Sequence, residues 1–248
     1  MKISVQLYTV RDRIKNGEDF IRVLGEIKAV GYDGVELVGF NDGGYFGLDA
    51  PALKAKLDEL GLVCTGTHAG LDSYDGAAAE ETIKYHRAIG CKIIGIGGAP
   101  VFDEDDLVET MDILGRANKL AEKEGMKVYF HNHTHEFRLT EDSSVEENII
   151  DRLKEVCYLQ LDTYWSFCAG VDNYKFITEN KDRIVAVHVK DGIGGKTLAL
   201  GEGNCDIESV IRAAKDIGLE WLVVENDDPS PDGVSDIARS IKYLKGVL

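Results

Sequence analysis

The sequence has no Cys-x-x-Cys pair, no apolar run long enough to cross a bilayer and no excess of positive charge. Its five cysteines, Cys64, Cys91, Cys157, Cys168 and Cys205, are odd in number and scattered. That pattern suits neither a disulfide framework nor a zinc knuckle, and it reads as reduced thiols in a cytoplasmic compartment. The first residues reach Arg11-Asp12-Arg13 before any long apolar stretch develops, so no secretory signal and no membrane partner are expected. With 28 Lys and Arg against 44 Asp and Glu, the formal charge of −16 repels a phosphate backbone, which argues against a nucleic-acid partner. No Gly-x-Gly-x-x-Gly follows the first predicted strand, where Gln6-Leu7-Tyr8-Thr9 stands instead, and this weakens an open dinucleotide-binding sheet. No linker or low-complexity segment divides the 248 residues, so the simplest division is one domain over 1–248.

One unit recurs along the chain: an amphipathic helix, a glycine, then a short apolar strand. Gly31, Gly61, Gly90, Gly125 and Gly218 each stand before such a strand, where a helix ends in the left-handed conformation. The helices carry one-sided stripes, as in Phe20, Leu24 and Ile27, Leu53, Leu57 and Leu60, or Ile237, Ile241 and Leu244. Predicted strands cover 3–8, 35–38, 63–68, 93–96, 128–131, 158–162, 184–189 and 221–225, each a continuous apolar run of the kind found in covered parallel sheets. Eight alternating units in this length predict an α/β fold, a closed (β/α)8 TIM barrel. The least regular stretches, 41–50, 134–142 and 192–204, all follow strands and are predicted loops.

Catalytic groups in such a barrel sit where strands end. Five of the six histidines fall there: His68, His131, His133, His135 and His188. The sixth, His86, lies on a helix, and a surface position without special role is expected for it. Asp162 and Glu225 end the sixth and eighth strands and Glu36 lies within the second; a carboxylate in an apolar strand is costly unless paired or metal-bound. His131, Asp162, His188 and Glu225, from strands five to eight, form a mixed N/O set suited to one divalent ion such as Mn, Zn, Co or Mg. His131 and His133 share a side of their strand, so either can bind the ion while the other meets the substrate. Glu36 is expected to orient a metal-bound group or the substrate. Lys190 is a candidate for a substrate hydroxyl or developing oxyanion, against the alternative of a surface pair with Asp191. His68, between small residues, is a candidate substrate contact. Trp165 and Phe167 suit core packing or a sugar face, and Gly97-Gly98 lacks the context of a phosphate-binding loop.

Gln6-Leu7-Tyr8-Thr9-Val10-Arg11-Asp12, Gly34-Val35-Glu36-Leu37, His131-Asn132-His133-Thr134-His135-Glu136-Phe137, Leu161-Asp162-Thr163-Tyr164-Trp165, Val187-His188-Val189-Lys190-Asp191-Gly192, Gly201-Glu202-Gly203-Asn204-Cys205-Asp206 and Glu225 occur in this order. In that order they resemble the sugar phosphate isomerase/epimerase family, the xylose isomerase-like TIM barrels, over nearly the whole chain. The resemblance implies one divalent metal on His131, Asp162, His188 and Glu225, substrate contacts from Gln6, Glu36, His68, Lys190 and Glu136, and acid–base roles for Glu225, His133 and His131. His131 stands where the family's epimerases place a glutamate, one of their two acid–base carboxylates. The His-Asn-His-x-x-Glu-Phe form also resembles relatives acting on 3-keto sugars and glycosides by elimination or hydration, and Glu136 replaces the missing carboxylate if its loop turns back.

The leading expectation is an isomerase or epimerase acting on a ketose, inosose or keto-sugar, by proton abstraction α to a carbonyl through an enediolate. A 3-keto-glycoside lyase or hydratase is the alternative. A DNA-repair endonuclease needs further metal ligands and a basic groove that the charge disfavours, and a catalytically silent sugar-binding barrel is the remaining class. A homo-oligomer is compatible with the sequence.

Overall fold

The structure, a computed structural model, describes residues 1–139 and 147–248. Strands β1 (Lys2–Gln6), β2 (Gly34–Phe40), β3 (Val63–Ala69), β4 (Ile93–Ile96), β5 (Lys127–His131), β6 (Tyr158–Asp162) and β7 (Ile184–Val189) run in parallel around a barrel. A short antiparallel hairpin, β8 (Asp191–Ile193) and β9 (Lys196–Leu198), precedes the last barrel strand, β10 (Trp221–Val224). β10 closes the barrel on β1, pairing Lys2 with Trp221 and Val5 with Val224. The helices α1 (Gly17–Val30), α2 (Ala50–Leu60), α3 (Gly76–Ala88), α4 (Glu104–Lys123), α5 (Ile149–Val156), α6 (Thr163–Cys168), α7 (Asn173–Glu179) and α8 (Ile207–Asp216) intervene between strands, and α9 (Gly233–Val247) follows the last. The eight-stranded closed barrel is as the periodicity predicts.

Sequence explains these elements locally. α1 starts at Asn16, whose side chain accepts the Asp19 N–H, and stops at Gly31, left-handed at φ 108°, which returns its N–H to the Ile27 and Lys28 carbonyls. Its stripe of Phe20, Leu24 and Ile27 is fully buried against the barrel. Burying side chains of this size stabilises the fold by roughly 1.5–3 kcal/mol each. β1 is shorter than its predicted span because the Gln6 side chain accepts the Tyr8 N–H and turns the chain into a 3-10 segment, Leu7–Arg13.

Two predicted loops hold structure. Within 192–204, the β8–β9 hairpin is folded around Asp191, whose buried carboxylate accepts the amides of Gly192, Gly201, Gly203 and Cys205 at 2.9–3.1 Å. Asp191 is therefore no surface partner of Lys190. The 134–142 loop begins with a 3-10 turn, His135–Phe137, and its residues 140–142 lie outside the described residues.

The expected surface position of His86 is corrected. Its side chain is buried, and Nδ1 donates to the Thr82 carbonyl (2.7 Å) while Nε2 accepts from the Tyr45 hydroxyl (2.7 Å). Tyr45 also bonds Thr67 on β3, so its hydroxyl ties the 41–50 loop to the barrel and, through His86, to α3. Burial pushes the imidazole down to about 4 from its ordinary 6.5, against a smaller upward pull from the Thr82 carbonyl. Between those values the unfolded chain binds the proton that the folded chain refuses, so this contribution to stability is lost as pH falls from 6.5 toward about 4. We expect His86→Gln to flatten the pH dependence of unfolding in that window, by on the order of 1 kcal/mol per pH unit. Urea denaturation at stepped pH measures it, and identical slopes in both proteins count against the assignment.

Candidate active site at the barrel mouth

Alternation along the strands aims every second side chain into the barrel. Gln160 and Asp162 on β6, Tyr129 and His131 on β5, and His188 on β7 with Lys190 beyond it therefore enter in layers. The lower layer centres on Glu36, which is fully buried. Its carboxylate accepts from Gln6 Nε2 (3.0 Å), Gln160 Nε2 (2.6 Å), the Tyr129 hydroxyl and His188 Nε2. Room for this network comes from glycine: a Cβ on Gly66 would lie 2.8 Å from Glu36 Oε1, and one on Gly95 would lie 2.3 Å from the Tyr129 ring. Burial alone would raise the Glu36 carboxyl, but the charge of His188, then that of His68, holds it down at about 2.

Above Glu36, donor atoms of His131, Asp162, His188 and Glu225 lie within 4.8 Å of one another, all buried. His131 Nε2 is 3.3 Å from Asp162 Oδ2 and 3.1 Å from His188 Nδ1, which is itself 2.8 Å from Glu225 Oε2. Asp162 Oδ1 accepts the Tyr164 and Trp165 amides and so caps α6, leaving Oδ2 for the cluster. Lys190 is buried as well, with Nζ at 2.8 Å from Asp162, 2.7 Å from Glu225 and 2.9 Å from Asp227. Of the two readings of Lys190, the surface pair with Asp191 does not occur.

The electrostatics follow from this packing. Burial opposes charge on each group, yet Lys190 and the imidazoles hold Asp162 and Glu225 far below the ordinary carboxylate range. Against burial, the carboxylates of Glu225 and then Glu36 carry His188 up to about 10, and those around Lys190 raise its ammonium further. His131 goes the other way, to about 4, because burial outweighs the pull of the Asp162 carboxylate beside it.

These residues fit a divalent ion. The set offers two imidazoles and two carboxylates, and among the described residues the buried Asp162 Oδ2 forms no well-made hydrogen bond beside its ion pair with Lys190. Glu36 takes the Nε2 side of His188 and so directs Nδ1 to the cluster, as carboxylates behind metal-bound histidines do. Binding an ion there requires His188 to release its proton.

A cavity of about 640 Å³ opens over the cluster, walled by His68, His131, His133, Trp165, Lys190, Glu225 and Asp227 together with Tyr8, Val38 and several glycines. His68 lines it, with Nε2 2.7 Å from Gln160 Oε1. Gln6 and Glu36 lie beneath it rather than on its wall. Glu136 does not turn back to the four-residue cluster; it is buried beside His133 and His135, in a separate group. Phe167 is exposed and off the wall, whereas Trp165 lines the cavity under the Lys190 ammonium, 5.7 Å from its ring centroid. Gly97 and Gly98 earn their place as space: a Cβ on Gly97 would lie 2.7 Å from His68 Nδ1, and one on Gly98 would lie 3.2 Å from His133 Cε1. Sequence reasoning missed Asp227, Gln160 and Tyr129. Asp227 has a signal, lying two residues beyond Glu225 at the end of the last barrel strand. Another cleft, of about 700 Å³, lies outside the barrel between α3 and α4. Glu80, Lys84, Arg87 and Lys123 line it, with no histidine, so the site chemistry belongs to the mouth.

Removing Lys190 should leave Asp162 and Glu225 with the His188 imidazolium as their one remaining counter-charge in the cluster. We expect Lys190→Met to destabilise chelator-treated protein by about 3–5 kcal/mol. Zinc at roughly 100 times its Kd should return about 2.7 kcal/mol. Denaturant titrations with chelator and with zinc measure both, and unchanged stability of the chelated variant would show that the ammonium is not the counter-charge.

Residues 24–247 match the family model for xylose isomerase-like TIM barrels. The chain is 29% identical to an inosose dehydratase of Geobacillus kaustophilus over 199 residues, 68% of this chain and only 61% of that relative. It is 29% identical to an inosose dehydratase of Glaesserella parasuis over 279 residues, covering 92% of this chain and 90% of the relative. The fold is shared with a crystal structure of a sugar phosphate isomerase/epimerase from Parabacteroides distasonis, at a TM-score of 0.83 and 20% identity over 98% of this chain and 93% of that one. Among the described residues no helix is long and apolar enough to cross a membrane. The barrel closure, the ligand-like cluster at the strand ends and the family match together place this chain in the xylose isomerase-like TIM barrel family.

Proposed function

We propose that the chain is a metal-dependent enzyme that removes a proton α to the carbonyl of an inosose or keto-sugar, and that elimination of water or of another β-substituent outpaces symmetric epimerisation. The observation that carries this reading is the make-up of the cluster: the position opposite Glu225 holds His131, whose imidazole burial keeps neutral, rather than a second carboxylate. Of the other carboxylates near Glu225, Asp162 is tied to the start of α6, and Asp227 is bound to Lys190.

A divalent ion on His131, Asp162, His188 and Glu225 would supply Lewis acidity toward the substrate carbonyl. Glu225, kept ionised by Lys190 and His188, takes the proton from the α carbon. Lys190 donates to the oxygen on which negative charge develops, and its burial strengthens that interaction. Collapse of the enediolate with loss of the β-hydroxyl, which takes the proton back from Glu225 and leaves as water, would complete a dehydration and return Glu225 to its ionised form. His133 is less suited to abstract the proton, because its Nδ1 is turned toward Glu136 at 3.7 Å. His68 and Trp165 bound the sugar, and Glu36 acts through His188 as a positioning residue. The resemblance to inosose dehydratases supports elimination, and the acidic surface supports a small carbohydrate over nucleic acid.

The test is proton NMR in deuterated buffer with zinc- or magnesium-supplemented protein and a panel of inososes, 3-keto-glycosides and free ketoses. The α proton should exchange, and the elimination product should accumulate faster than any epimer. Glu225→Gln should slow exchange by roughly 10²–10⁴-fold. Efficient reversible epimerisation of a free ketose as the main reaction would falsify the one-sided mechanism.

A further inference from the structure

The stretch that follows β5 carries a second group of donor atoms, separate from the four-residue cluster. His133 Nδ1, His135 Nε2 and Glu136 Oε1 lie within 4.8 Å of one another. Glu136 is fully buried, and among the described residues its ion-pair partners are His133 and His135 alone. One of its oxygens is accounted for, since Oε2 accepts the His133 amide at 2.8 Å. Among the described residues the other, Oε1, is buried without a hydrogen bond, and so is His135 Nε2. These two atoms are 3.3 Å apart and do not bond each other, so both face one small space with their polar capacity unused. Leaving such groups unsatisfied is costly, and a carboxylate more so than an amide or hydroxyl.

The geometry points to a second divalent-cation site, held by His133, His135 and Glu136 and open to the cavity. A tetrahedral zinc with bonds of about 2.0–2.1 Å sets its ligand atoms roughly 3.3–3.4 Å apart. Glu136 Oε1 is 3.3 Å from His135 Nε2 and 3.7 Å from His133 Nδ1, so small rotations of two imidazoles bring both to that spacing. Two histidines and one glutamate are a recurrent three-ligand set for zinc that keeps a further position open. The rings are already ordered: His133 and His135 stack with planes 12° apart, and Phe102 stacks on the outer face of His135 with centroids 5.5 Å apart. The amide of His133 fixes the Glu136 carboxylate from behind. His133 lines the cavity, and its ring centroid is 5.3 Å from that of His131 in the deep cluster. An ion at the rim would therefore face the same bound molecule as the deep cluster, from the β5 side. This site does not depend on the reading of the deep cluster, because it uses none of its residues.

Zinc and cobalt(II) titrations of the chelator-treated full chain test the site, with elemental analysis for stoichiometry and the visible bands of cobalt for geometry. The unmodified protein should take up two equivalents. His135→Ala and Glu136→Gln should each weaken one of them by at least roughly 100-fold, the upper end of what loss of an outer-shell partner does. Asp162→Asn should weaken the other instead. Cobalt should also displace the ring-proton resonances of His133 and His135. Uptake of a single equivalent that only His135→Ala and Glu136→Gln abolish supports the rim site and counts against the deep one. Uptake that neither rim variant alters, or no uptake at all, overturns the proposal and leaves the three residues as an imidazole–carboxylate pair. If His135→Ala loses its native circular dichroism, the isosteric Glu136→Gln decides.

Discussion

The barrel interior is arranged around one buried carboxylate. Glu36 has no lysine or arginine beside it among the described residues, and its charge is carried instead by hydrogen bonds from a tyrosine, two glutamines and a histidine on four different strands. Removing any one donor exposes a desolvated anion, so the network holds β1, β5, β6 and β7 in a fixed relation to β2. Gly66 and Gly95 are part of the same constraint, because a methyl group at either position would occupy the volume that Glu36 and Tyr129 use. The layer above inherits its geometry from this one: His188 is turned by Glu36, and His68 by Gln160, which itself donates to Glu36.

That inheritance has an electrostatic consequence. Glu36, Asp162 and Glu225 bring three negative charges into a space from which water is largely excluded, and His188 and Lys190 return two positive ones. A buried ion pair often contributes little net stability, but a buried ion left without its partner is strongly destabilising. The mouth of the barrel is thus a place where cations are required, whether ammonium, imidazolium or metal. Lys190 fits this need with an arm long enough to reach Asp162, Glu225 and Asp227 together, spanning the ends of β6 and β10.

Much of this was legible in the sequence, for definite reasons. Closure of the barrel followed from eight helix–glycine–strand units, and β6 and β7 have the bounds that their apolar runs predict. His131, Asp162, His188 and Glu225 stood out because each lies at or next to the end of a mostly apolar predicted strand. Tyr129 and Gln160 did not, because their role exists only against Glu36, 93 and 124 residues away in the chain. A tyrosine in a strand looks like core until the partner of its hydroxyl is known. His86 was misplaced for a related reason: helical periodicity says which face it occupies, but not that the 41–50 loop folds over that face and delivers Tyr45 to it. The β8–β9 hairpin escaped notice because its strands are too short for a periodic signal, and its shape is set by four amides converging on Asp191.

The two sides of the cavity differ in kind, and the cause is strand geometry. On β5 the inward positions continue past the strand end as His131 and His133, with His135 and Glu136 in the turn beyond. On β7 and β10 the corresponding positions give His188 and Lys190, then Glu225 and Asp227. One wall therefore presents imidazoles that burial or stacking keeps in place, and the other presents a lysine locked among carboxylates. A symmetric acid–base pair needs like groups on opposite faces of a substrate, with matched proton affinities. Here the facing groups, Glu225 and His131, are displaced from their ordinary values by different causes: neighbouring positive charge for the carboxylate and loss of water for the imidazole. Under the proposed function, a proton taken on the Glu225 side would have no equivalent carboxylate to return it from the other, and such a one-sided wall would favour breaking a bond at the neighbouring carbon.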